Sequence, residues 1–391
     1  MKKSITFLTI LIFSAIFSFT ALSDVNLTAF QPGELWLDNN GVHINAHGGG
    51  ILFYNGKYYW FGEHKGERSN NALVGITCYS SDDLYNWKNE GIALPVEKDE
   101  TSDIASGSIM ERPKVIYNPK TGQFVMYFHL ELKGQGYGAA KAGIAVSDKV
   151  TGPYRYLKSC RPNPGKFPEN MTEEQKTATA KPDDFEKWWT PEWSKAAENG
   201  MFVRRDLANG QMARDMTLFV DDDGKAYQIY SSEENLTIQL AELTGDYLGY
   251  TGKYIRIAPC GHNEAPAIFK KDGKYFMITS GCTGWAPNAA RLFTADNILG
   301  PWTEHPNPCV GEDANLTFHS QGTFILPVQG KKDAFIFMAD RWMPRYPIDG
   351  RYIWLPVQFE NGLPLLKWYD QWDLGIFPVE TGRAPSLPKK L

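Results

Sequence analysis

Five polar side chains occupy one repeated position in this chain, and their types suit proton chemistry. An x-Gly-Lys/Gln turn between two hydrophobic runs occurs five times, at Gly56, Gly122, Gly224, Gly273 and Gly330. Nine residues before four of these glycines stand His47, Asp215, Glu264 and Gln321. The second copy, whose turn at 118–121 is two residues longer, places Glu111 there. Three acids held in one enclosed site repel one another, so burial and repulsion raise one pKa until that group keeps a proton to donate, while the others stay ionised.

Protonation of a glycosidic oxygen is chemistry of this kind. Taken singly, each acid reads as a strand-end cap or an ion-pair partner. The shared register is what favours a reaction. His47 is a second group able to handle a proton, because an imidazole titrates near neutrality.

Such a site needs elements that converge. Each copy reads as a short strand, a tight turn and a second strand, as at 267–269 and 275–279 around Asp272-Gly273, followed by outer strands. Units of about four strands repeated along a chain are the pattern of a propeller, whose innermost strands surround a central channel. The expectation is therefore an all-β, five-bladed β-propeller forming one domain over residues 24–391. The widest gap between turns holds an insertion, 161–211, with a helix expected at 183–199 carrying Trp188, Trp189 and Trp193. It reads as a rim that shapes a sugar subsite. Sugar rings also pack on aromatic faces, and Thr283-Gly284-Trp285 and Tyr127 leave second strands toward the channel. Trp285, in its Gly-flanked loop, is the strongest of these.

Composition narrows the class. Apolar residues make up 42% of the chain and aromatic residues 14%, enough for a packed core. Lys2-Lys3, an apolar run from Phe7 to Leu22 and a small-residue end at Ser23 read as a signal peptide over residues 1–23. Its removal takes the formal net charge from −5 to −7. An acidic chain without basic blocks is not expected to bind nucleic acid. An exported, periplasmic or secreted monomer with no membrane insertion after cleavage is expected. The five cysteines show no metal-ligand spacing, so buried thiols with at most one disulfide are expected, with no metal and no cofactor.

Glu264 before Ala-Pro-Ala-Ile-Phe, Arg214-Asp215 before Met-Thr-Leu-Phe and the recurrent Gly-Lys-Tyr hairpins resemble family 43 glycoside hydrolases, which are five-bladed propellers that invert anomeric configuration. The resemblance covers about residues 45–372. It implies Glu264 as general acid and Asp215 as the group tuning its pKa. Most of the family carries an Asp base in the first blade, where this chain reads His43-Ile44-Asn45-Ala46-His47-Gly48-Gly49. That departure, with Glu111-Arg112-Pro113-Lys114, Thr283-Gly284-Trp285 and Ser320-Gln321, is similar to the branch containing exo-β-1,3-galactanases. By that resemblance Gln321 holds the attacking water, as an orienting amide or as its imidic tautomer, and Glu111 and Arg112 grip galactose, with Glu63 a further candidate. The substrate implied is a β-1,3-galactan chain. Alternatives are a β-galactofuranosidase, an α-L-arabinofuranosidase or a non-catalytic sugar-binding propeller. Inversion with a water between the groups implies Glu264 and Gln321 about 6.5–9.5 Å apart.

Overall fold

The computed structural model describes residues 26–179 and 189–378. The segment expected to be a signal peptide, Trp188 and the start of the helix expected at 183–199 lie outside the described residues. Two-residue turns set the hairpins: Asn55 and Gly56, with φ of 48° and 83°, and Asp272 and Gly273, with φ of 51° and 79°, both take the left-handed pair of a type I′ turn. These turns fix the register at Tyr54↔Lys57 and Lys271↔Lys274.

Strands β1 (His47–Tyr54), β2 (Lys57–Glu63), β3 (Gly75–Ser81) and β4 (Lys88–Pro95) form the first antiparallel sheet, in chain order. The second comprises β5 (Ile109–Asn118), β6 (Gln123–Glu131), β7 (Lys141–Ser147) and β8 (Arg155–Cys160). The third comprises β9 (Met216–Val220), β10 (Ala226–Ser232), β11 (Thr237–Leu243) and β12 (Tyr250–Ile257), and the fourth β13 (Glu264–Lys271), β14 (Lys274–Ser280), β15 (Arg291–Ala295) and β16 (Thr303–His305). A short β17 (Cys309–Val310) precedes the three-stranded sheet of β18 (Gln321–Pro327), β19 (Phe335–Arg341) and β20 (Arg351–Pro356). The last strands, β21 (Gln358–Glu360) and β22 (Leu363–Lys367), pair with each other, and β22 runs parallel to β17.

The fold is an all-β propeller, and its count differs from expectation: the described residues form six sheets, not five. Strand β20 ends at Pro356, which has no N–H to extend a ladder. The chain beyond it therefore joins β17 in a small separate sheet. Five sheets send their first strand to the centre, where β1, β5, β9, β13 and β18 pack in a closed ring.

Apolar faces between neighbouring sheets hold the ring together. The first and fifth meet over Trp60, Trp87 and Trp354, with Trp36, Phe30 and Trp372 packed around them. The Trp60 ring lies 4.8 Å from Trp354 and 5.3 Å from Trp87. Phe30 and Trp372 exchange backbone hydrogen bonds of 2.7 and 3.1 Å, joining the segments that flank the sheets. Trp60→Ala is expected to lower the unfolding free energy by about 3–5 kcal/mol, read as a lower denaturant midpoint at unchanged slope.

The insertion contains α1 (Glu173–Thr177), α2 (Pro191–Glu198) and α3 (Met201–Asp206). Thr190 caps α2 by accepting the Trp193 N–H, and Pro191 occupies its first turn. Trp193, Met201 and Phe202 are buried together with Leu236 of the β10–β11 turn. All five cysteines are thiols, so no disulfide forms.

Candidate active site

At one mouth of the ring a cavity of about 230 Å³ is lined by Glu63, Lys65, Glu111, Arg112, His129, Tyr137, Arg214, Asp215, Asn235, Glu264, Gly284, Trp285, Gln321 and Trp342. Glu264 and Gln321 begin β13 and β18, Glu111 lies near the start of β5, and Asp215 immediately precedes β9. Two of these strands open with Glu-x-Pro: Glu111-Arg112-Pro113 and Glu264-Ala265-Pro266. Each strand bulges there, with register shifts at Glu111/Lys114 and Glu264/Ala267, and proline is accommodated because the bulged residues leave the ladder; β1 bulges at the same position, His47/Gly50, without one. Arg112 and Ala265 take φ of 56° and 52°. The bulge turns the preceding carboxylate to the mouth.

Arg112 is the hub of the site. Its guanidinium donates to Gln321 Oε1 at 2.6 Å and to the Gly322 carbonyl at 3.1 Å, and pairs with Asp215 Oδ2 at 2.8 Å. Its backbone N–H donates to Glu63 Oε1 at 2.9 Å. Glu63 in turn pairs with Lys65 at 2.5 Å. Glu111 accepts from Tyr137 at 3.0 Å and lies 3.2 Å from His129, whose other nitrogen meets Glu131 at 2.9 Å. Burial pushes the Glu111 carboxyl up, but the His129 hydrogen bond and the charges of Lys65 and Arg112 outweigh it and hold the pKa at about 2. The two flanking carboxylates raise His129 to about 9 against its burial.

Glu264 behaves in the opposite way. Burial, then the nearby charge of Asp215, pushes its pKa up to about 7. Asn235 Nδ2 donates to its Oε1 at 2.8 Å, the Cys282 thiol lies 3.3 Å from the same oxygen, and Gln321 Nε2 reaches Oε2 at 3.3 Å. One carboxyl that keeps its proton near neutrality thus stands among carboxylates matched by cations, which is the arrangement a proton donor requires.

The last contact corrects the expected spacing, since the Glu264 carboxyl and the Gln321 amide touch. Two carboxylates would repel, whereas an amide N–H attracts a carboxylate. The spacing rule written for paired carboxylates does not carry over to this pair.

Glu111, His129 and Asp215 bring ligand atoms within 4.8 Å of one another, a geometry that could hold a metal ion. Both carboxylates are already met by Arg112, His129 and Tyr137.

Glu63, Glu111, Arg112, Asp215, Glu264, Trp285 and Gln321 all reach the cavity. Three expected residues do not. His47 is fully buried behind it, with Nδ1 3.2 Å from Asp340 and its ring stacked on Tyr352 at 5.2 Å. The first sheet serves the mouth through Glu63 instead, because Gly48 has no side chain to collide with that carboxylate; a Cβ there would sit 2.0 Å from it. Tyr127 is fully buried, with its hydroxyl donating to the Tyr247 carbonyl between the second and third sheets. Thr283 bonds within its own loop, to the Ala286 carbonyl and Asn288, and so shapes the loop that presents Trp285.

Nor does any described residue of 161–211 line this cavity, which corrects the reading of the insertion as its rim. Arg161, Arg205 and Asp206 line an adjoining cleft that shares Tyr137 and Arg214 with it.

Lys65, Tyr137, Asn235 and Trp342 were missed from the sequence, and they share an origin. Each lies in, or at the start of, the loop between the second and third strands of its sheet, as does Trp285. His129 was available from register, because it pairs with Glu111 across the hairpin as Glu63 does with His47.

Residues 169–364 match the family model described as glycosyl hydrolases family 43, and residues 43–243 match that of the family 32 N-terminal domain. A family 43 β-1,3-galactosidase solved with galactodeoxynojirimycin is 63% identical, with a TM-score of 0.86 over 88% of this chain and 100% of that one. An exo-β-1,3-galactanase from Phanerochaete chrysosporium solved with galactose is 31% identical, with a TM-score of 0.72 over 91% of this chain and 71% of that one. A β-D-galactofuranosidase from Aspergillus niger is 32% identical over 121 residues, 30% of this chain, and the match spans 35% of that protein's length. With half of its residues under the family 43 model and a family 43 structure matched over that structure's whole length, the chain belongs to glycoside hydrolase family 43 and is a glycoside hydrolase.

Proposed function

We propose that this hydrolase is exo-acting and inverting, and that it releases galactose from the ends of β-1,3-linked galactan chains of the arabinogalactan type. The observation that carries this reading is the 63% identity, over its full length, to a β-1,3-galactosidase bound to a galactose-like inhibitor. The cavity supports it, since about 230 Å³ is below the usual range for drug-sized ligands and suits one hexose ring, as removal of terminal sugars requires. In this reading Glu264 is the general acid, Asp215 raises its pKa, and Glu111, Arg112 and Glu63 hold sugar hydroxyls beside Trp285. The fold is read as a five-bladed propeller whose sixth small sheet flanks the fifth blade. Export after loss of residues 1–23 is proposed on the charged and apolar start of the sequence.

For Gln321 the partners favour one of two ways of handling water. Arg112 and Trp342 Nε1, at 2.6 and 2.9 Å, are donors only, so the atom between them must be the amide oxygen as an acceptor. The imidic tautomer would put a hydroxyl there, facing two donors. In this reading Gln321 stays an amide, with Nε2 on Ser280 and on Glu264 Oε2, and orients water instead of removing its proton.

The test is product analysis on β-1,3-galactan beside β-1,4- and β-1,6-galactans and synthetic β-galactofuranosides and α-L-arabinofuranosides. Galactose is expected from the β-1,3 polymer, appearing first as the α-anomer by proton NMR. A β-anomer would overturn inversion. Faster turnover of a furanoside would replace the substrate, and binding of galactan without turnover of any substrate would favour a sugar-binding protein.

A further inference from the structure

We infer that Asn235 is a positioning residue for the proton donor, and that the 161–211 insertion acts on catalysis through the turn carrying it. This rests on the reading of Glu264 as general acid. The β10–β11 turn lies between the paired residues Ser232 and Thr237. Within it Glu233, Glu234 and Asn235 take φ of 53°, 57° and 63° in succession. Left-handed backbone is uncommon for any residue but glycine, and three in a row persist only where the surroundings hold them.

Three arginines do so. The buried Glu233 carboxylate takes Arg256 Nε at 2.8 Å and a terminal nitrogen at 2.7 Å. Glu234 takes Arg205 at 2.9 Å and Arg214 at 3.0 Å. Arg205 belongs to α3, and Arg256 also donates to the Ala197 carbonyl of α2. Leu236, next in the turn, is buried against Trp193 and Phe202 of the same helices.

The clamped turn delivers one group to the cavity, the Asn235 amide on Glu264 Oε1. With the Cys282 thiol on the same oxygen, Oε1 faces two donors. Oε2 faces one donor, the Gln321 amide at 3.3 Å, so the acidic proton resides on Oε2, the less heavily donated oxygen. The same two donors stabilise the carboxylate left after the proton has moved to the leaving oxygen.

The test uses Asn235→Gly, which keeps the positive φ without strain and deletes only the amide. It is compared with the wild type on β-1,3-galactobiose, whose leaving group needs a proton, and on β-D-galactosyl fluoride, whose leaving group needs little. A loss of about ten- to hundredfold in kcat/KM is expected on the disaccharide, part of the 10²–10⁴ that a general acid contributes, with less than about threefold on the fluoride. The basic limb of the pH profile should move upward, since a donor to the ionised form has been removed. Arg205→Ala should give a smaller loss with the same substrate selectivity. Equal losses on both substrates, or none on either, would overturn the inference. Glu264→Ala in the same assay separates it from the reading beneath: if that variant fails to discriminate the substrates, Glu264 is not the acid. If it discriminates and Asn235→Gly does not, only the role of Asn235 falls.

Discussion

Glu264→Ala is expected to lower kcat/KM on β-1,3-linked oligosaccharides by about 10²–10⁴-fold, the usual contribution of a positioned general acid. Turnover of β-D-galactosyl fluoride should survive. The wild-type profile should follow the same group. Burial and Asp215 put its pKa at about 7, and it acts in the protonated form, so activity is full below that value and falls as pH rises through it. In Glu264→Ala that basic limb should disappear from the residual fluoride hydrolysis. The acidic side has a different owner: Glu111, held at about 2, stays ionised across the ordinary range and should not limit the rate above about pH 4. A variant that kept its basic limb near 7, or hydrolysed galactan at the wild-type rate, would remove Glu264 from the role.

The acid was legible in the sequence because a local rule placed it. Turn glycines fix hairpin register, register fixes which residue opens the inner strand, and a bulge just after that residue aims it. The same rule misplaced His47. Its sequel is Gly48-Gly49-Gly50, and what those glycines admit is not local: the Glu63 carboxylate and the Arg112 and Lys114 side chains come from β2 and from the next sheet. Asp340, which holds His47 back, arrives from β19, nearly 300 residues later.

Loop residues such as Tyr137, Asn235 and Trp342 carry no hydrophobic period, so nothing in the sequence marks which of them turn inward. The sheet count failed for a related reason. Pro356 marks a break in a strand, but the partner β22 then takes, β17, sits in a separate link of the chain.

Gln321→Glu gives the sharpest separation between an amide that orients water and one that removes its proton. If Gln321 served as a base, a true carboxylate in its place would be at least as good, and kcat would hold or rise. The surrounding groups argue for the opposite result. Arg112 and Trp342 would still bind one oxygen of the new carboxylate, but the other would replace the N–H that now faces Ser280 at 2.9 Å and Glu264 at 3.3 Å. Ser280 and Glu264 lose that donor, the water loses the amide proposed to orient it, and Glu264 gains a negative neighbour that disfavours its ionised form. The expected outcome is a fall in kcat of about 10²–10³-fold, comparable to loss of one preorganised donor, with a basic limb shifted above the wild-type position. Gln321→Ala should match the fall in kcat with a smaller upward shift, because it removes a donor to Glu264 and adds no charge. His47→Asn, acting on a buried side chain outside the cavity, should leave kcat within a few-fold in the fraction that circular dichroism shows to be folded. Wild-type or faster turnover by Gln321→Glu would return the proton to residue 321, and a larger loss in His47→Asn than in Gln321→Ala would pass it to the imidazole.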